Sequence, residues 1–177
     1  MASSKPLRIS ALGLRVFVFL FCLASLSIIA TDTVEFPDPQ TGELTKATFK
    51  DVISYRYLFS VAMLGIAYSL MQIPLAALSI IKGNSLVTKT ILPWYIFTDV
   101  VAGLLVATAV GAGFGLTVDL KRRADKEFRA AGVQDLEFAK NIDKALNLAH
   151  LSTGFLLVAT VCMAVIVLLS ALVLARK

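Results

Sequence analysis

Four long apolar stretches dominate this sequence and leave little choice of fold. They cover residues 9–30, 57–81, 91–118 and 148–175. Each is long enough to cross about 30 Å of hydrocarbon as an α-helix. Strands of a membrane barrel would alternate apolar and polar residues, whereas these blocks are apolar all round. Composition agrees: 58% of the 177 residues are apolar and 16% charged, against about 45–50% and about 25% in a soluble domain. The expected fold is therefore an all-α membrane protein. Residues 1–177 form a single four-helix domain with short tails, two longer loops (31–56 and 119–147) and no room for a separate soluble domain. The first block could also be read as a signal peptide with Lys5, Arg8 and Arg15 as its basic region. Its exit, Ile28-Ile29-Ala30, is a poor cleavage site, so we read it as a span.

The connections differ in character. In loop one, Pro37-Asp38-Pro39-Gln40-Thr41-Gly42 reads as a turn, and the segments 33–36 and 45–49 flanking it could pair as a short hairpin. The connection at 82–90 is short and carries only Lys82 and Lys89. In loop three, Leu136, Ala139, Ile142 and Leu146 recur at helical spacing. Lys121/Asp125 and Asp125/Arg129 sit four apart, so this loop reads as one or two amphipathic helices broken near Gly132.

Two counts of basic residues disagree on orientation. The tails and the short connection share one side and carry Lys5, Arg8, Lys82, Lys89, Arg176 and Lys177 with no acid. The two longer loops carry more bases in total, but also many acids, and several of their bases can pair within a folded helix. The first span usually dominates. Its leading flank holds Lys5 and Arg8, and its trailing flank Asp32, Glu35 and Asp38. We therefore expect both termini in the cytoplasm and loops 31–56 and 119–147 outside.

Most enzymatic chemistry lacks its residues. The single histidine, His150, has no serine or cysteine elbow motif to accompany it. There is no CxxC pair, no HExxH, no metal-ligand spacing and no phosphate-binding glycine loop, so no catalytic residue, metal or other cofactor is expected. Cys22 and Cys162 lie in apolar stretches, where small packing roles are the default. The net charge of +5 is clustered and does not read as a nucleic-acid signal.

The candidate site rests on two charges within the spans. A charge inside the bilayer costs about 2.5–3.5 kcal/mol on insertion scales, so it faces a partner, a cavity or an interface. Arg15 lies about 9 Å along the first helix from its start, and Asp99 about 12 Å along the third. Both helices start on the same side. Opposite charges at similar depth suggest an ion pair between helices one and three; snorkelling of Arg15 is the alternative. Asp99 also heads a row of small residues, Gly103, Ala107, Gly111 and Gly115. Such spacing lets helix backbones approach closely, either within the bundle or between subunits. On helix one, Arg15, Phe19, Cys22 and Ser25 share a face expected to look inward. Pro74 is expected to kink helix two, Gln72 to hydrogen-bond across helices, and Pro93-Trp94-Tyr95 to open helix three.

These residues resemble a plant family, the Casparian strip membrane domain proteins and their CASP-like relatives, grouped with MARVEL-type four-helix proteins. The likeness rests on a short basic tail, Gly13-Leu14-Arg15-Val16, Tyr55-Arg56-Tyr57-Leu58, Ala67-Tyr68-Ser69-Leu70, Asp99 and Ala107-Thr108-Ala109-Val110-Gly111. The intramembrane arginine and aspartate typical of the family fall on Arg15 and Asp99. Many members carry a tryptophan and a cysteine pair in loop three. Residues 119–147 have neither, so the resemblance is to a CASP-like member outside the endodermal group. It implies a plasma-membrane protein with cytosolic tails, partnered by the lipid bilayer and by copies of itself and of relatives as homo- and heterodimers or larger assemblies. It also implies a scaffold that forms or marks a membrane domain and directs local cell-wall modification. A small channel or transporter subunit is the alternative. Against it, only Arg15, Asp99, Gln72 and scattered Ser and Thr could line a path.

Overall fold

A computed structural model describes the backbone of residues 5–31, 33–37, 44–48, 52–82, 85–132 and 137–175. The described chain runs α1 (Lys5–Thr31), β1 (Thr33–Pro37), β2 (Leu44–Thr48), α2 (Ile53–Lys82), α3 (Ser85–Ala131) and α4 (Glu137–Ala175). All four helices are long and apolar enough to cross a membrane. The protein is an all-α, four-span membrane protein. Its outer faces carry Phe17, Leu20, Leu64, Leu104 and Leu168, each at least half exposed. On a soluble protein such a surface would aggregate; here it meets acyl chains, which are as apolar as leucine.

The helices are longer than their apolar cores. At about 1.5 Å per residue, α3 reaches about 70 Å, more than twice the hydrocarbon thickness. The stretch expected as loop three is therefore largely the continuation of two spans, α3 to Ala131 and α4 from Glu137. Gly132 ends α3 with φ +67° and donates its N–H to the Arg129 carbonyl at 3.3 Å, a left-handed terminus that glycine adopts without a Cβ penalty. The extensions touch through Lys121, whose Nζ lies 2.9 Å from Asp143 Oδ1 and 2.9 Å from Asn147 Oδ1. Both members of this ion pair are about half exposed, so its contribution is below about 1 kcal/mol. Loop one contains the antiparallel hairpin β1–β2, with Glu35 opposite Lys46, and β1 packs against α4. Its central turn lies outside the described residues. Pro93 does not open the third helix: α3 begins at Ser85, so Pro93 is internal, as Pro74 is in α2.

The helices form a ring in which α1 packs on α2 and α4, and α3 packs on α2 and α4. Helices α1 and α3 therefore face each other across the diagonal. The core is built from Val18, Cys22, Leu58, Ala62, Val106, Ala109, Leu156 and Ala159. The Cys22 Sγ fills the space left by Gly65, and a Cβ placed on Gly65 would sit 2.9 Å from that sulfur. Helix α3 meets α4 at Gly113. There a Cβ would lie 2.6 Å from both Leu58 Cδ1 and Thr153 Oγ1. Ser152 donates to the Ser25 carbonyl at 2.9 Å and stands 2.8 Å from the Ser25 hydroxyl, fastening α1 to α4. The α2–α3 seam is the loosest, and a lipid-facing groove opens there between Leu64 and Leu105.

Candidate functional site

Three helices bring their polar side chains to one point inside the tail-side half of the bundle. From α1 comes Arg15, 6% exposed, and from α3 comes Asp99, 1% exposed. Arg15 donates through both terminal nitrogens, Nη1 to Asp99 Oδ1 at 3.0 Å and Nη2 to Oδ2 at 2.6 Å. This parallel fork is the strongest geometry that a guanidinium and a carboxylate can adopt. Helix α2 supplies Tyr68, whose hydroxyl donates to Asp99 Oδ1. Gln72, one turn along α2, donates its Nε2–H to the Tyr68 hydroxyl at 3.0 Å and lies 3.4 Å from Thr98 Oγ1. Thr98 in turn donates to the Tyr95 carbonyl at 3.0 Å. The buried carboxylate thus accepts from two helices at once. In a low-dielectric interior each of these bonds is electrostatically stronger than in water, and each unpaired member would be costly.

The sequence suggested an ion pair between helices one and three, and the structure forms that pair across the diagonal of the bundle. Since α1 and α3 are diagonal, the pair spans the bundle axis rather than a helix–helix seam. The long arginine side chain makes that reach possible. Its effect is to tie α1 and α3 together across the bundle, with Tyr68 bracing the carboxylate from the α2 side. Arg15 does not snorkel outward, because both its terminal nitrogens are engaged by the carboxylate.

The row of small residues divides. Gly103 is half-buried, with the Met163 Cβ 3.8 Å from where its own Cβ would be. Ala107, Gly111 and Gly115 are exposed, and nothing lies within 4 Å of a Cβ placed on Gly111 or Gly115. The intrabundle role considered from spacing therefore does not hold for these three. A four-residue step falls about 40° further round the helix than one full turn, so the row rotates from the α4 side to the outside. Near it, Tyr57 on α2 donates to Thr108 on α3 at 2.7 Å, with Thr108 itself donating to the Leu105 carbonyl at 2.7 Å.

The close-packing glycines, Gly65 and Gly113, were not singled out by spacing, and neither was Tyr68 as the third member of the polar site. A mid-span tyrosine one turn from a glutamine was the available signal, since tyrosine ordinarily gathers at the membrane interfaces. His150, the lone histidine, is exposed and packs edge-on against Phe114 with ring centres 4.7 Å apart. Among the described residues no three His, Cys, Asp or Glu side chains gather as a metal site would require.

A family model of the Casparian strip membrane protein domain matches residues 4–155. CASP-like protein 4D1 of Sorghum bicolor is 39% identical over 193 residues, covering 100% of this chain and 97% of that protein. CASP-like protein 4D1 of Ricinus communis is 31% identical, covering 96% of this chain and 94% of that one. CASP-like protein 4D2 of Arabidopsis thaliana is 32% identical, covering 97% and 92%. No solved structure matches the chain.

Proposed function

The chain belongs to the family of Casparian strip membrane protein domains, and on that footing we propose that it is a self-associating scaffold of the plasma membrane. In this reading both termini are cytosolic. Copies of the chain, with or without related family members, assemble as dimers or larger arrays that mark a membrane domain and direct local cell-wall modification. The observation that carries the reading is the exposed strip Ala107, Gly111 and Gly115 on α3. In lipid, helix association depends on close van der Waals approach, and small residues allow it. A bare backbone strip facing outward is a surface that a second helix can meet and that acyl chains fill poorly.

The test is crosslinking. Gly111→Leu places a bulky side chain where the strip is flattest. Because nothing lies within 4 Å of this site, monomer yield should stay normal while crosslinked dimer falls severalfold. Undiminished dimer with normal monomer would remove the strip from the assembly. Imaging of a tagged protein in plant cells then asks whether it gathers in patches that the Gly111→Leu variant fails to form. The channel reading is weaker, since a path along the bundle axis would have to cross Cys22, Ala62, Ala109, Leu156 and Ala159, all fully buried. Purified protein in liposomes should therefore show no ion flux above empty vesicles.

Topology has its own test. Thr41→Cys on loop one should react with an impermeant thiol reagent on intact cells, and Ser85→Cys at the start of α3 should not. The opposite labelling would reverse the orientation.

A further inference from the structure

All four helices leave a half-open cavity at the tail end of the bundle. Its polar lining is Arg8, Arg15, Ser79, Tyr95 and Ser170. The rest is apolar, with Leu7, Ile80, Leu169 and Val173 forming the walls. Arg15 is a side chain more than nine-tenths buried that borders this space. A guanidinium carries five N–H donors. The fork to Asp99 uses one from each terminal nitrogen, and among the described residues no acceptor meets the others. Arg8, about two turns nearer the surface, is half-buried and has no ion pair among the described residues. The cavity thus presents one engaged and one unengaged guanidinium, two hydroxyls and an apolar wall.

We propose that this cavity binds one anionic glycerophospholipid, with the phosphate held by Arg8 and the spare N–H groups of Arg15, and an acyl chain lying along Leu169 and Val173. The charge pattern of the whole tail side supports this occupant. That side carries Lys5, Arg8, Lys82, Lys89, Arg176 and Lys177 and no acid. Basic clusters at a membrane surface attract anionic headgroups, each base contributing an electrostatic term that falls off within a Debye length. A free anion would not use the apolar wall, and a zwitterionic lipid would set its own ammonium against the basic tail side. The proposal deepens the scaffold reading by naming a lipid that this face would gather. Binding itself is read on purified protein and does not depend on orientation or assembly.

The experiment is native mass spectrometry of the full chain in detergent, titrated with dioleoylphosphatidylglycerol or dioleoylphosphatidylcholine. One phosphatidylglycerol should be retained, about fivefold or more tighter than phosphatidylcholine. Arg8→Gln should lower phosphatidylglycerol retention more than phosphatidylcholine retention and so remove most of that preference. Ala11→Phe, which fills the cavity, should weaken both lipids. Arg122→Gln, an exposed base at the opposite end, should change neither. Equal retention of the two lipids by the natural chain would overturn the proposal, as would equal losses from Arg8→Gln and Arg122→Gln. So would competition by glycerol 3-phosphate at the concentration that phosphatidylglycerol requires, since the acyl chain would then contribute nothing.

Discussion

Arg15→Leu is expected to destabilise the purified protein by about 3–5 kcal/mol, the range for a buried ion pair that loses one partner. The leucine strands Asp99, which is 1% exposed. That carboxylate keeps one donor, the Tyr68 hydroxyl. Asp99→Leu should cost a similar amount, because it leaves a guanidinium buried at 6% exposure. Asp99→Asn should cost less, since an amide oxygen still accepts from Arg15. The double variant Arg15→Leu with Asp99→Leu should be more stable than the sum of the singles by about 2 kcal/mol or more, because neither buried charge then needs a partner. Recovery should be partial: the Tyr68 hydroxyl loses its Asp99 acceptor and keeps the more distant Thr98 Oγ1 at 3.4 Å, a penalty of about 1 kcal/mol. Tyr68→Phe alone should cost about 1–2 kcal/mol, placing it between the natural chain and the single charge variants. Thermal unfolding in detergent gives the order. An additive double variant would remove the pair as the element that holds the bundle centre.

The second large effect is expected at Gly113. A methyl group there would meet Leu58 Cδ1 and Thr153 Oγ1 at 2.6 Å and Thr153 Cγ2 at 2.9 Å. Neither neighbour can retreat easily. Leu58 and Thr153 are both at 0% exposure, and Thr153 is tied to the Ala149 carbonyl at 2.9 Å. Gly113→Ala should therefore cost about 1–3 kcal/mol through overpacking, in spite of alanine's better helix propensity. Gly111→Ala, two residues away on the outer face, meets nothing within 4 Å and should be neutral to slightly stabilising. The contrast separates packing from propensity, because both changes add the same methyl to the same helix. Equal melting temperatures for the two variants would mean that α3 does not pack on Leu58 and Thr153 as described.

Much of the architecture was legible because the bilayer enforces it. A segment of some twenty apolar residues has to satisfy its backbone hydrogen bonds internally when it crosses, so four such segments mean four helices. The glycine at position 132 was readable for a different reason. Proline and glycine restrict or free φ locally, independent of any neighbour. Arg15 and Asp99 stood out because a charge is rare at that depth. Tyr68 did not, since a tyrosine among apolar residues can equally be a packing residue.

Within this chain, the sequence alone determined the number of spans, their all-round apolar character and the presence of two charges inside them. Each of these follows from transfer energetics, which act residue by residue. Only the tertiary structure decided which faces met. It placed α1 and α3 on the diagonal, so that Arg15 and Asp99 join across the bundle axis with Tyr68 as a third member. It turned Gly111 outward and Gly113 inward, although the two are separated by a single residue. Inside a membrane, helix surfaces are nearly uniform in polarity, so periodicity carries little information about which side is buried. Shape complementarity and a few hydrogen bonds select the partners, and these exist only once all four helices are packed.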